Sequence, residues 1–198
     1  MGFSQHIGNL PQFLAADASA PHKVESLDRE IIVPMSLNET FAFFADAANL
    51  QRITPPWLHF SILTPLPVQM RLGLEIAYVI RLYGLPLPWR SRIDVWEPGV
   101  CFVDRQLVGP YRWWRHEHRF EVVRGGTRVS DHVDYAPRIG WLSRAVVWRD
   151  LGRIFDYRHE ALRRILQEER RDKPRPSWTS EDVAPTDLKA IPEQPPCA

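Results

Sequence analysis

The sequence predicts an α+β fold in which a curved antiparallel β-sheet of about seven strands wraps around a long C-terminal helix. Three observations predict it. Apolar residues alternate with other residues through positions 71–83, which is the period of a half-buried strand. Short turns with Gly or Pro divide the segments between residues 84 and 137, as antiparallel hairpins require. Apolar residues then recur with helical spacing over positions 141–171.

The predicted elements follow the order β-α-α-β6-α. A β-branched run predicts a first strand over residues 27–33. Ser36 and Glu39 have the spacing of a capping box and predict a helix over residues 37–45. A second short helix is expected over residues 47–53. The six further strands are predicted over 57–63, 71–83, 87–96, 101–107 and, as two arms of one hairpin, 111–135.

The hairpin of residues 111–135 carries the main candidate site. If Gly125 and Gly126 form the centre of its turn, His118 lies opposite Val133, and the other pairs follow from this register. Because side chains alternate along a strand, one face holds Trp114, His116, His118, Phe120, Val122, Val129, Asp131, Val133 and Tyr135. Two imidazoles and one carboxylate among apolar side chains predict the lining of a pocket.

Three interpretations of His116, His118 and Asp131 remain open at this point. They are general acid and base groups of an enzyme, ligands of a metal ion, or groups that satisfy one another by hydrogen bonding and orient a ligand. The third is favoured. Asp104 and Gln106 share one strand face, which points either into the sheet's concave side or to water.

Other polar residues have simpler interpretations. Arg90 and Arg92 lie on the face opposite Trp89 and Ile93, so we expect them on the solvated side of the sheet rather than in an anion clamp. On the long helix, Arg158 or His159 is a further candidate to reach a cavity.

Composition excludes several classes of function. The chain of 198 residues has 25 basic and 24 acidic residues, a net charge of +1, so no global field attracts nucleic acid. No apolar run reaches the ~18 residues of a membrane span, and no signal peptide is recognised. Two cysteines, Cys101 and Cys197, suggest no disulfide framework and favour a reducing, cytoplasmic location. Motifs for nucleotide, structural zinc or serine hydrolase chemistry are missing, so no cofactor and no metal are expected.

The domain boundaries follow from composition. Residues 1–25 are expected to form an irregular arm with an apolar anchor near Phe13 and Leu14, and residues 26–171 the folded domain. Residues 172–198 are rich in proline and are expected to be disordered. Trp178 within this tail is interpreted as incidental.

The strings GLPLPWRSRIDVWEPGVCFVDRQLVGPYRWWRHEHRF and GGTRVSDHVDYAPRIG, together with the order of elements, carry a resemblance. The chain resembles the SRPBCC superfamily, which includes START lipid-transfer domains, birch-allergen-like proteins and polyketide cyclase/dehydrases, and in particular a bacterial ligand-binding branch. The resemblance covers residues 27–168 and implies the helix-grip fold with a hydrophobic cavity.

The function expected from this resemblance is binding of a small hydrophobic or amphipathic ligand, lipid-like or polyketide-like, by a monomer or weak homodimer. The alternative is a cyclase or dehydratase that uses His116, His118 and Asp131. A third class is an interaction module that docks through the proline-rich tail. The residues expected to contact a ligand are Tyr78, Ile80, Trp89, Trp114, His116, His118, Phe120, Val133, Tyr135 and Phe155.

Overall fold

The computed structural model describes residues 14–138 and 141–171 together with Cys197. In chain order the elements are β1 (Glu25–Val33), α1 (Leu37–Ala45), α2 (Asn49–Arg52), β2 (Ser61–Ile62), β3 (Glu75–Leu82), β4 (Leu85–Glu97), β5 (Cys101–Val108), β6 (Tyr111–Val123), β7 (Gly126–Pro137) and α3 (Trp141–Arg171). All seven strands form one antiparallel sheet in the order β1-β7-β6-β5-β4-β3-β2. The predicted helix-grip architecture is therefore confirmed. Within the described residues, no helix is long and apolar enough to cross a membrane.

The helix α1 begins where the sequence predicts it. The Ser36 side chain accepts a hydrogen bond from the backbone N–H of Glu39, and the Glu39 carboxylate accepts one from the backbone N–H of Ser36. This capping box satisfies backbone donors that a helix start leaves without partners. The aromatic side of α1 then packs onto the sheet through Phe41 and Phe44, both of which contact the Phe120 ring.

Two predicted strands are shorter than expected. Over 57–63 the chain forms a 3-10 turn at Pro56–Leu58, and only Ser61–Ile62 pairs with β3. Within the predicted strand, His59 has a left-handed φ of 43°, which interrupts an extended backbone. The strand predicted from residue 71 begins at Glu75, because Gly73 has a φ of 77° in a turn. Leu72 is consequently 61% exposed instead of facing the core.

The register of the β6–β7 hairpin differs by two residues from the prediction. Val123 pairs with Gly126, so the turn consists of Arg124 and Gly125. Gly126 belongs to β7, where an added Cβ would lie 2.0 Å from the carbonyl oxygen of Val33 in β1. Glycine is needed at this position because β1 approaches closely, and not because the residue lies at the centre of the turn. A shift of two residues keeps every side chain on its predicted face.

The inner face of the sheet carries two apolar clusters. One joins α1 and the C-terminal half of α3 to the sheet, with Phe102, Phe120 and Leu162 among its buried members. The other lies under the N-terminal half of α3 and includes Trp114 and Phe155. The helix α3 thus covers both clusters, and the space between them holds the site described below.

Both ends of the domain touch the sheet at defined points. Leu14 is buried, and its carbonyl oxygen accepts a hydrogen bond from the N–H of Gly109, while Phe13 lies outside the described residues. Cys101 of β5 and Cys197 form a disulfide, with Cα atoms 6.7 Å apart. The expectation that these two cysteines form no disulfide framework is therefore wrong for this structure, because Cys197 lies against β5. The remaining tail, with Trp178, lies outside the described residues.

Candidate ligand cavity and buried polar row

A cavity of about 220 Å³ lies between the concave face of the sheet and α3. Its walls are mostly apolar and aromatic. Of the residues expected to contact a ligand, seven line it: Tyr78, Ile80, Trp89, Trp114, His116, His118 and Phe155. The other three, Phe120, Val133 and Tyr135, are fully packed into the two apolar clusters behind the wall.

A row of inward polar side chains crosses four adjacent strands at the cavity wall. This polar row consists of Ser91 in β4, Asp104 in β5, His116 and His118 in β6, and Asp131 in β7. Strand pairing sets their order, since Asp104 pairs with His116 and His118 pairs with Asp131. The row separates the two apolar clusters, because the neighbours of His118 and His116 along β6 are Phe120 on one side and Trp114 on the other.

Asp131 lies at the centre of the row's contacts. Its Oδ1 is 3.0 Å from Nε2 of His116 and 2.8 Å from Nδ1 of His118. The first contact is a hydrogen bond, whereas the ring of His118 is turned so that the second is a close polar contact without hydrogen-bond geometry. From α3, Nε2 of His159 comes within 3.5 Å of Oδ2 of Asp131. Asp131 is 2% exposed and does not reach the cavity itself.

Asp104 faces the other side of the two imidazoles. Its Oδ2 lies 3.4 Å from Nδ1 of His116 and 3.7 Å from Nε2 of His118. Its Oδ1 accepts a hydrogen bond from the Ser91 hydroxyl. Ser91 in turn accepts from the indole N–H of Trp89. Each imidazole is therefore placed between two carboxylates, with Asp104 on the cavity side and Asp131 behind.

Contacts within the row lower the pKa values of both of its carboxyl groups. Burial raises the pKa of the Asp131 carboxyl, but the contacts with His116, His118 and His159 outweigh burial and hold it well below its usual range. Asp104 likewise has a lowered pKa, because the two nearby imidazoles outweigh its burial. Both carboxyls are therefore ionised at neutral pH.

The two imidazoles differ from each other. Burial lowers the pKa of His116, but the contacts with Asp104 and Asp131 outweigh burial and raise it. Burial and the nearby charge of His116 together lower the pKa of His118, despite the same two carboxylates. The first proton that this coupled pair takes up therefore resides on His116. His118 stays neutral and has one ring nitrogen on the cavity side.

Two further polar groups reach the cavity. Tyr78 lines it with its hydroxyl 3.5 Å from the Ser91 oxygen, and burial raises its pKa well above the usual value, so it remains a neutral phenol. Arg158 of α3 lies over the rings of Phe44 and Phe155. Its Nε is buried without a hydrogen-bond partner among the described residues. The cavity thus has a cationic group available to a ligand.

The structure resolves the positions that the sequence left open. Asp104 faces inward, and Gln106 is buried at the strand end, where its side chain donates to the carbonyl oxygen of Tyr111. Arg92 pairs with Asp94, and Arg90 lies 3.7 Å from Glu75; neither lines the cavity. Ser91 was not singled out from the sequence. Its parity with Trp89 and Ile93, which face inward, is the signal that identifies it.

Taken together, the fold and cavity define a helix-grip protein with a mostly apolar cavity and one polar wall. The chain belongs to the family described as Domain of unknown function (DUF8410), whose model matches residues 52–166. No curated protein matches it.

Solved structures show the same fold at low sequence identity. The Zhui aromatase/cyclase from Streptomyces sp. R1128 is 18% identical with a TM-score of 0.59, covering 76% of this chain and 97% of that one. Ara h 8.0201 is 14% identical with a TM-score of 0.57, covering 74% and 99%. The di-domain ARO/CYC StfQ from the steffimycin biosynthetic pathway is 12% identical with a TM-score of 0.58, covering 74% and 51%.

Proposed function

We propose that this protein binds a small amphipathic molecule whose apolar body occupies the cavity and whose oxygen-bearing end meets the polar row and Arg158. The observation that carries the proposal is the distribution of polarity. The cavity of about 220 Å³ is lined mainly by aromatic and aliphatic residues. Asp104, His116, His118 and Arg158 form one group of polar side chains in its lining, to which Asp46 and Asp150 also contribute. Apolar pockets with a few convergent polar groups are typical of small-molecule sites.

The resemblance to START-like and cyclase-like proteins supports a hydrophobic or polyketide-like ligand, although fold alone does not assign function. A lipid-like molecule with a carboxylate, or a polycarbonyl molecule, has the required two-part chemistry. Arg158 supplies a cation for an anionic oxygen, and the neutral phenol of Tyr78 supplies a hydroxyl donor.

Native mass spectrometry of protein purified from its source tests the proposal directly. We expect a retained small molecule that is lost after denaturation. Ile80→Trp places a bulky ring in the cavity wall, so this variant purified in the same way should lack the small molecule. The control Leu85→Trp, at the exposed start of β4, should retain the small molecule. Leu85 is 66% exposed. Empty wild-type protein that also fails to bind a fluorescent apolar probe would overturn the proposal.

A second candidate function is an acid–base enzyme of the cyclase or dehydratase type. One observation favours it: the pKa values of His116 and His118 move apart on one wall of the cavity, which separates a proton donor from a proton acceptor. In this function neutral His118 removes a proton from the bound substrate, and His116 and Asp131 hold it in position. Two proteins of similar fold support this candidate, the Zhui aromatase/cyclase and the di-domain ARO/CYC StfQ.

His118→Gln distinguishes the two functions. A binding protein should retain probe affinity within a few-fold, whereas an enzyme should lose turnover of an aromatic polyketide precursor by about 10²-fold or more. The matched control is His132→Gln on the outer face of β7, which should leave both measurements unchanged. Turnover that survives His118→Gln would exclude His118 as the base.

A further inference from the structure

The cavity-side atoms of the polar row have the arrangement of a metal site. Asp104, His116 and His118 each offer one ligand atom, and these atoms lie within 4.8 Å of one another. The imidazole nitrogens that approach Asp104 Oδ2 are Nδ1 of His116 and Nε2 of His118. All three residues line the cavity. Two imidazoles and one carboxylate that converge on one point form a donor set suited to first-row divalent metals.

The distances between these atoms argue against mutual hydrogen bonding. Asp104 Oδ2 lies 3.4 Å from His116 Nδ1 and 3.7 Å from His118 Nε2, and both separations exceed the usual ~2.7–3.2 Å of such a bond. Two donor atoms each about 2.1 Å from a tetrahedral ion lie about 3.4 Å apart. The separations of 3.4 and 3.7 Å from Asp104 Oδ2 are therefore close to those of atoms that share one ion.

The ring nitrogens of the two imidazoles that point away from Asp104 also have a carboxylate beside them, as in many metal sites. His116 Nε2 and His118 Nδ1 both approach Asp131 Oδ1, at 3.0 and 2.8 Å. A carboxylate behind a metal-binding imidazole holds its proton on the distal nitrogen, so the nitrogen toward the metal keeps its lone pair. Buried Asp131 performs this role for His116 through a hydrogen bond, and it makes a close polar contact with the distal nitrogen of His118. His159, 3.5 Å from Asp131 Oδ2, adds a contact behind it.

We infer that Asp104, His116 and His118 bind a divalent transition metal of the zinc type, with Asp131 as the positioning residue. The remaining coordination positions open into the cavity. Arg158 is a nearby cation that opposes metal binding, but Asp104 and Asp131 contribute two negative charges. The ion, the Asp104 carboxylate and two neutral imidazoles together carry a charge of +1, and the opposite charges of Asp131 and Arg158 nearby cancel. This net charge favours an anionic oxygen of the cavity ligand as a further metal ligand. This role for the ligand rests on the proposed function, whereas metal binding itself does not.

The test uses the full chain, freed of metal with a chelator and titrated with ZnCl₂ in calorimetry. We expect one zinc per chain in the wild type, and a loss of affinity of at least about 100-fold in Asp104→Asn, His116→Gln and His118→Gln. Asp131→Asn, which leaves all three ligands in place, should weaken binding by about 10–100-fold. The control His132→Gln should bind as the wild type does. Circular dichroism verifies that each variant is folded.

Two measurements on the wild type keep the test decisive if a variant fails to fold. Cobalt(II) should give visible absorption bands of low-symmetry coordination, and zinc should shift the ¹⁵N resonances of His116 Nδ1 and His118 Nε2 selectively. The absence of a one-to-one zinc complex, or zinc binding that moves only other histidines, overturns the metal site. Probe binding is measured separately with and without zinc. Protein that binds the probe but does not bind zinc overturns only the metal site, and protein that binds zinc but not the probe overturns only the ligand proposal.

Discussion

His118 and Asp131 lie directly opposite each other on β6 and β7, with Nδ1 of His118 2.8 Å from Oδ1 of Asp131. The carboxylate is also bonded to His116 and is shielded from water. His116, whose pKa is raised by its carboxylate contacts, forms a buried ion pair with Asp131. Such a pair is costly to break, because removal of one partner leaves the other charge uncompensated.

We therefore expect Asp131→Leu to lower the free energy of unfolding by about 3–5 kcal/mol, measured by denaturant titration. The matched change Asp134→Leu affects the outer face of the same strand, where the carboxylate bonds Ser26 and His132. It should cost less than about 1 kcal/mol. Equal losses at the two positions would show that burial of Asp131 does not stabilise the fold.

A second prediction concerns Arg158 and the charge of the ligand. A fluorescent fatty acid and its methyl ester should both enter the cavity, and the acid should bind more tightly because Arg158 can pair with its carboxylate. Arg158→Met should reduce the affinity for the acid about tenfold, which corresponds to ~1.4 kcal/mol, and leave the ester nearly unchanged.

Arg153→Met is the control for this comparison. Arg153 is exposed on the same helix and lies over Trp57, away from the polar row. Its loss should affect neither probe. A parallel loss of acid and ester in Arg158→Met would mean that the side chain only packs against Phe44 and Phe155.

Several features of the fold could be predicted from local sequence alone. The capping box of Ser36 and Glu39 depends only on neighbouring residues, and the structure contains it as expected. The inward face of β6 follows from the period of two, and it survived a two-residue difference in register. That register depends on Gly126, whose missing side chain admits the Val33 carbonyl of β1, a contact between residues far apart in the sequence.

The orientation of some side chains at the polar row could not be predicted from the sequence. Asp104 could not be oriented, because both faces of β5 mix apolar and polar residues: Phe102, Asp104 and Gln106 alternate with Cys101, Val103 and Arg105. Arg158 could not be assigned to the cavity, since its position depends on the rotation of α3 over the sheet. Both uncertainties concern packing between elements, which periodicity within one element does not determine.

The disulfide between Cys101 and Cys197 leads to a third prediction. It closes a loop with a sequence separation of 96 residues, and such a cross-link is expected to stabilise by about 2–4 kcal/mol. Around it, the Glu117 carboxylate accepts a hydrogen bond from the N–H of Cys197. Reduction should therefore lower the free energy of unfolding.

Intact-mass analysis after alkylation without reductant checks this bond in the purified protein. We expect no added alkyl groups, and two after reduction. Cys197→Ser should match the stability of the reduced wild type, and reductant should not destabilise it further. Two alkylated thiols in protein isolated under non-reducing conditions would instead agree with the reducing, cytoplasmic location expected from the cysteine count.

A pH dependence is expected from His132 on the outer face of the sheet. Its imidazole lies 2.6 Å from Asp28 and 3.2 Å from Asp134. Burial lowers the pKa of His132, but these carboxylates outweigh burial and raise it. The folded protein therefore binds this proton more tightly than the unfolded chain does.

The stabilisation from His132 is accordingly complete below the unfolded pKa of about 6.5 and is lost as the pH rises through the raised folded pKa. The imidazole is 41% exposed, so solvent screening keeps the effect below about 1 kcal/mol. Denaturant titrations of the wild type and His132→Gln should differ most at low pH and converge at high pH. His22→Gln, at an exposed position outside the sheet, serves as the control, and a difference that grows with pH would contradict the assigned direction.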